Sequence, residues 1–329
     1  MRRGPPLPNV VCMQRDELDR ALEEAQKALL ARHAPGTRVR RVRWSGGETQ
    51  VLELGAGPPL LLVHGGGDCA VEWVPVLAEL ARTHHVLAVD RPGHGLADPF
   101  DCRGVDLLEH ACVFLGDILD ALDLETTDIA ANSMGGLWSA AFALRSPGRV
   151  SRLALLGAPP GLTRSVPRQL RLLGLPLLGG LVGRRLLSDQ SPEASRAFWG
   201  ELLVAHPERL DDVFVAADVA HMRRNVGSIL SLIQRAVGAR GLSPALLLGE
   251  RWQELAVPTL FLYGDRDEFV GPRDEAAWSA LAERNPNIRV VRVADAGHLP
   301  WLDAPERVLG ELTRFLTADT DRYQRRRTA

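Results

Sequence analysis

From Leu60 onward the chain alternates short apolar runs with helical segments, and this rhythm restricts its fold more than anything else in its 329 residues. Leu60–Val63, His85–Val89, Arg152–Leu156, Pro258–Tyr263 and Ile288–Val293 read as buried strands. Helices through Trp73–Arg82, through Val105–Leu122 and up to Ala143 lie among them, and Ala304–Leu316 closes the pattern. Strands alternating with helices predict an α/β fold: a mainly parallel sheet with helices on both faces. Ahead of this rhythm, Asp16–His33 reads as an amphipathic helix with Leu18, Leu22, Ala25 and Leu29 on one face. It is expected to pack onto the body or onto a second copy in a homodimer, with partner binding as the alternative. Val39–Trp44 and Thr49–Leu54 flank Ser45-Gly46-Gly47-Glu48 and predict an antiparallel hairpin.

Strand signals stop between Pro159 and about Leu255, where Leu, Arg and Ala dominate with Pro and Gly punctuation. Residues 161–255 are therefore expected to form a helical cap inserted between two strands, over the carboxyl ends of the sheet where open α/β sheets bind ligands. The core then comprises residues 38–160 and 256–317. Residues 1–37 form an N-terminal extension, and 318–329 a basic, solvated tail containing Arg325, Arg326 and Arg327.

Composition narrows the function. An apolar content of 46% suffices for a large core, and a net charge of -2 implies no bulk attraction to nucleic acid or to an anionic membrane. Cys12, Cys69, Cys102 and Cys112 form no CxxC pair, and no His or Cys cluster has metal-ligand spacing, so four free thiols are expected. The opening Met1–Pro8 lacks the apolar run of a secretory signal, and Leu172–Val182, broken by Pro176, Gly179 and Gly180, is too short to span a bilayer. A cytoplasmic location is the expectation.

Four segments carry chemistry. In Thr127–Gly136 an extended stretch enters Ala131-Asn132-Ser133-Met134-Gly135-Gly136 and a helix follows at once. Small-x-Ser-x-small between strand and helix is the pattern of a nucleophile elbow, in which a strained turn lifts the serine hydroxyl clear of the sheet. A serine that merely caps the helix is the plainer alternative. His64-Gly65-Gly66-Gly67 follows the Leu60–Val63 strand. Backbone amides there can hold a developing oxyanion, with Gly66, to within one residue, and Met134 as donors. Tyr263-Gly264-Asp265-Arg266-Asp267 ends one strand, and Ala296-Gly297-His298-Leu299-Pro300 follows the next. Asp265 and Asp267 compete to orient His298, the other aspartate then holding the loop. His64 and His94 sit in glycine loops and are expected to tie them together; His84, His85, His206 and His221 show no partner spacing.

Ser133, an acid, then His298 is the chain order of α/β-hydrolases, and the chain resembles that superfamily of serine hydrolases from about Arg38 to Leu316. Asp90-Arg91-Pro92-Gly93-His94-Gly95 is similar to a recurrent loop of the fold. The family's GxxD pattern points to Asp267 over Asp265. The resemblance implies a Ser133–His298–Asp267 triad, an oxyanion hole of the Gly66 and Met134 amides, and hydrolysis of an ester or thioester of a small to medium apolar acyl compound. It implies no metal or organic cofactor. Serine at the elbow argues against the epoxide hydrolase and haloalkane dehalogenase branches, which use aspartate there. Asn132-Ser133-Met134-Gly135-Gly136 and the glycine loop also resemble the meta-cleavage product hydrolases, which cut carbon–carbon bonds. Asp68-Cys69 and Leu299 depart from that group, where Pro-Gly and Trp are typical. Gly65, Asn132, Trp138 and Leu299 are candidate substrate contacts, Trp138 equally a core residue. In the cap, Phe198, Trp199 and Met222 are expected in helix packing before pocket lining. Alternatives are a cofactor-free cyclase or acyltransferase and a non-catalytic ligand-binding protein.

Overall fold

A computed structural model describes residues 15–175, 179–180, 183 and 191–318. The expectations for Cys12 and for the basic tail after Ala318 lie outside these residues. Eight strands form one sheet in the order β1-β2-β4-β3-β5-β6-β9-β10. They are β1 (Arg38–Trp44), β2 (Gly47–Leu54), β3 (Pro59–Val63), β4 (His85–Val89), β5 (Thr127–Asn132), β6 (Val150–Leu156), β9 (Thr259–Gly264) and β10 (Ile288–Val293). β1 and β2 pair antiparallel, β2 joins β4 antiparallel, and every other pairing in this sheet is parallel.

The central strands are buried on both faces, which is why they read as unbroken apolar runs. Successive side chains still point to opposite faces. Leu61, Val63, Ile129, Ala131, Leu153 and Leu155 enter one apolar core, while Leu60, Leu62, Ala130, Ala154 and Leu156 enter the other. Helices α1 (Arg15–His33) and α2 (Val74–Leu80) cover the second face, and α3 (Leu107–Ala121) and α4 (Ser133–Arg145) the first. Asp106 caps α3, its carboxylate accepting from the amides of Leu108 and Glu109 at 3.0 and 3.1 Å.

Between β6 and β9 come α5 (Arg168–Leu173), α6 (Pro192–Leu202) and the long α7 (Asp212–Ala236). The sequence predicts no strand here, yet Val237–Gly238 (β7) and Gly241–Leu242 (β8) pair as a small antiparallel ribbon. Two-residue strands are too short to leave a periodic signal. The ribbon is anchored where Leu242 N–H donates to Arg164 C=O at 3.1 Å. Helices α8 (Pro272–Arg284), α9 (Pro300–Asp303) and α10 (Pro305–Leu316) complete the chain. Helix α1 packs on α7 and α2, and its Gln26 exchanges side-chain hydrogen bonds with Gln50 of β2 at 3.1 and 2.8 Å.

Gly310 sits exposed in α10, and a methyl group there would meet nothing within 4 Å. Glycine inside a helix loses more backbone freedom on folding than alanine does, so Gly310→Ala is expected to stabilise the protein by about 0.5–1 kcal/mol. Equilibrium denaturant unfolding measures it; a lower midpoint would contradict the open surroundings of that position.

Candidate active site

The loops that leave β3, β5, β9 and β10 all emerge at the carboxyl edge of the parallel strands, and they bring the sequence-selected residues together. Ser133 begins α4 directly after β5, with φ of 48°. A non-glycine residue in that left-handed region is strained, and the surroundings must hold it there. They do so through close packing. A Cβ at Gly135 would lie 2.4 Å from the His64 carbonyl oxygen and 2.6 Å from that of Val63. The first turn of α4 is thus seated on the end of β3, and only glycine fits.

Asp267 and His298 form a buried pair: both carboxylate oxygens lie 2.9 Å from Nδ1 of the imidazole. Asp267 is itself fixed, Oδ1 accepting from Phe269 N–H at 2.9 Å and Oδ2 from Ala158 N–H at 3.1 Å. Asp265 accepts instead from Asp295 N–H at 2.8 Å and so holds the neighbouring loop. The Phe269 ring stacks on the imidazole at 3.9 Å, 18° from parallel. Nε2 of His298 is buried without a hydrogen-bond partner, and His298 shares one cavity with Ser133.

The glycine loop is pinned from behind. The Gly65 carbonyl receives the Arg91 guanidinium and lies 2.9 Å from Nδ1 of His64. The Gly66 carbonyl lies 3.1 Å from Nε2 of His94, and the Gly67 carbonyl 3.3 Å from Nε2 of His221. In a trans peptide the carbonyl and the following N–H point in opposite directions. Tying the Gly65 carbonyl to Arg91 and His64 therefore turns the Gly66 N–H the other way. A Cβ at Gly66 would lie 3.5 Å from that of Met134, so the two candidate donors adjoin. Burial, then Arg91, pushes His64 and His94 well below the usual imidazole range, and burial takes His221 down to about 4. These rings are neutral ties, as expected of His64 and His94; His221, which has no signal in the sequence, does the same work from α7.

The cavity measures about 140 Å³, close to the roughly 150 Å³ apolar space that accommodates benzene. Gly65, Asn132 and Leu299 line it, and so do the cap residues Phe198, Trp199 and Met222, for which helix packing is the first expectation; Trp199 also packs against Phe214. Nδ2 of Asn132, however, donates to the Leu156 carbonyl at 2.9 Å and to the His298 carbonyl at 3.3 Å. That side chain ties the elbow to the histidine loop. Of the two readings open for Trp138 the structure has the core one: it lies away from the cavity, against His110, Phe114 and the Arg91 guanidinium. Five residues along a helix from Ser133 is a rotation of about 140°, which turns Trp138 from the serine's side. Sequence reasoning missed Phe269 and three acids of the cavity wall, Asp68, Glu72 and Asp218. Their one local signal is the spacing of four between Asp68 and Glu72.

Among the described residues, no helix is long and apolar enough to cross a membrane. Cys69, Cys102 and Cys112 are free and buried.

Comparison with known proteins places these elements. A family model described as alpha/beta hydrolase fold matches residues 58–305. A 2-hydroxy-6-oxo-2,4-heptadienoate hydrolase of Pseudomonas putida is 42% identical over 123 residues, 36% of this chain and 44% of that enzyme; the match spans under half of that relative's length. A 2-hydroxy-6-oxononadienedioate/2-hydroxy-6-oxononatrienedioate hydrolase of Cupriavidus pinatubonensis is 31% identical over 233 residues, 66% of this chain and 74% of that enzyme. Among solved structures, the carboxylesterase CesB of Bacillus subtilis superposes with a TM-score of 0.71 at 20% identity, covering 92% of this chain and 99% of that one. At that identity the likeness is one of fold.

Proposed function

The chain belongs to the alpha/beta hydrolase fold family, and we propose that it hydrolyses an ester or thioester of a small to medium apolar acyl compound through Ser133, His298 and Asp267. The observation that carries this reading is the Asp267–His298 pair, whose unpartnered Nε2 borders the cavity that holds the strained Ser133. Asp267 holds Nδ1 as the donor, which leaves the Nε2 lone pair free to take the hydroxyl proton as Oγ attacks the carbonyl. The imidazolium so formed is stabilised by the carboxylate and returns its proton to the leaving group. Water activated by the same nitrogen then releases the acid. The amides of Gly66 and Met134 hold the oxyanion; a donor of this kind contributes about 2.7–4 kcal/mol. Met134, the second residue of α4, is among the first amides of a helix, which the helix itself leaves unpaired.

A second reading, carbon–carbon bond hydrolysis, is favoured by the names of the sequence relatives. The cavity wall weighs against it. The dienoates in those names are carboxylates, and this cavity is lined by Asp68, Glu72 and Asp218 with no lysine or arginine among its described lining residues. Apolar walls with acids and a serine suit a carbonyl compound without a carboxylate better.

A fluorophosphonate probe is expected to label the wild type at Ser133 and to leave Ser133→Ala unlabelled, read by intact mass. Labelling that survives the substitution would remove the nucleophile. Turnover of dienoates in preference to every ester and thioester in a panel would replace the first reading by the second.

A further inference from the structure

The three acids of the cavity wall have no part in acyl transfer. Asp68, Glu72 and Asp218 are 6%, 0% and 6% exposed. Asp68 and Glu72 each have one oxygen engaged, while Asp218 is hydrogen-bonded by both Ser195 and Trp199. Asp68 Oδ1 accepts from Cys69 N–H at 2.8 Å, Glu72 Oε2 from Gly65 N–H at 3.2 Å, and Asp218 Oδ2 from the Ser195 hydroxyl at 2.6 Å. The other oxygens of Asp68 and Glu72, Oδ2 and Oε1, are buried and have no donor. Leaving a buried acceptor unsatisfied is costly, and two beside one cavity point to a ligand that brings donors.

Among the described residues, no cation hydrogen-bonds to these two free oxygens. Arg91 attracts Glu72, but it donates through Nη2 to the Gly65 carbonyl and lies 4.7 Å over the Trp138 ring, and its Nε and Nη1 make no hydrogen bond to either acid. Arg224 is committed to Asp19 and to the carbonyls of Gly95 and Ala97. His94 and His221 are neutral, and Asp90 adds repulsion on Asp68. Burial, then Asp218 for Asp68 and Asp68 for Glu72, pushes both carboxyls well above the usual range; burial raises Asp218.

We propose that Asp68 and Glu72, together with Asp218, form a recognition site for a primary ammonium group. An ammonium carries three donors and no acceptor, which is what two donorless carboxyl oxygens lack. Burial favours the protonated acids while the cavity is empty; an arriving ammonium favours the ionised form, and each carboxyl that ionises releases one proton to solvent and turns its free oxygen into an acceptor. A metal ion is the competing occupant, since donor atoms of Asp68, Cys69 and His221 lie within 4.8 Å of one another. Yet both His221 nitrogens are engaged, Nε2 with the Gly67 carbonyl and Nδ1 with Gly95 N–H at 3.3 Å and Asn225 Nδ2 at 3.0 Å. Burial holds the Cys69 thiol protonated. The ammonium needs neither. The substrate is then an apolar acyl compound bearing an amine, a statement that rests on the acyl-transfer reading; the binding site itself does not.

Calorimetric titration of the wild-type protein with hexylammonium, 1-hexanol and hexanoate tests the site with ligands that contain no hydrolysable bond. Hexylammonium is expected to bind at least tenfold more tightly than hexanol, with a heat that varies with the ionisation enthalpy of the buffer, and hexanoate more weakly than either. Asp68→Asn keeps the acceptor for Cys69 N–H and is expected to erase the preference while hexanol binding stays within threefold, which also shows that the variant folds. Equal binding of ammonium and alcohol overturns the proposal. So does a preference that survives both Asp68→Asn and Glu72→Gln, or saturable Zn²⁺ binding that is lost in Cys69→Ser. Because no ligand is turned over, failure here leaves the Ser133 reading standing, and failure of Ser133 labelling leaves this result intact.

Discussion

Asp267→Asn is expected to lower kcat by about 10⁴ with KM changed only a few-fold, the size of effect seen when the acid of a Ser-His-Asp triad is replaced by its amide. The reason lies in what surrounds the carboxylate. Three donors converge on it: the Nδ1–H of His298 and the N–H groups of Phe269 and Ala158. A carboxylate has only acceptors to offer and satisfies all three, whereas an amide must turn an NH₂ group toward one of them. Each oxygen also accepts one rigid backbone N–H, so whichever end becomes NH₂ takes that acceptor away and faces Nδ1 as well. The imidazole yields instead by moving its proton to Nε2, and in that tautomer it has no lone pair with which to take the serine proton. The folded state also loses an acceptor for a buried donor, at about 1–3 kcal/mol. Steady-state kinetics on whichever ester the panel identifies, with thermal unfolding in parallel, would check both parts. A loss below tenfold in a folded variant would mean that Asp267 does not set the histidine tautomer.

Much of this arrangement is legible in the sequence. The parallel strands announced themselves as apolar runs because both faces are covered, and the loops that follow β3, β5, β9 and β10 inherit their place at the sheet edge from that pattern alone. What stayed hidden depends on contacts between residues remote in the chain. The hairpin illustrates this on a small scale. Trp44 pairs with Gly47, so the turn is two residues shorter than the polar stretch Ser45–Glu48 suggests, and Glu48 and its neighbour enter the strand. The acid cluster illustrates it on a large one. Asp68 and Glu72 belong to the glycine loop and the turn after it, while Asp218 comes from α7 in the cap, and no local pattern links them. Trp138 was open to either reading because a single aromatic next to the elbow carries no information on which way the helix is turned.

Gly264→Ala is expected to reduce kcat by about 10²-fold or more without touching any group that handles substrate. Gly264 ends β9, three residues before Asp267, and a Cβ there would lie 2.0 Å from the carbonyl oxygen of Ala296 and 2.4 Å from that of Gly297. Both are backbone atoms, so the methyl group cannot be accommodated by a change of rotamer. The β10 loop must move, and it carries His298 as its next residue. The Asp267–His298 contact joins these two loops, and His298 is tied on its other side through its own carbonyl to Asn132. A displacement of the β10 loop is therefore shared between the acid and the nucleophile turn. A misplacement on the order of 1 Å costs about 10²-fold in rate, and overpacking of this kind destabilises by about 1–3 kcal/mol. The two effects have one cause and should appear together. The discriminating comparison is with Gly310→Ala, the same chemical change at a position where the added methyl meets nothing. If Gly264→Ala were as active and as stable as that variant, the close seating of the β10 loop on β9 would not be what sets the distance between Asp267 and His298.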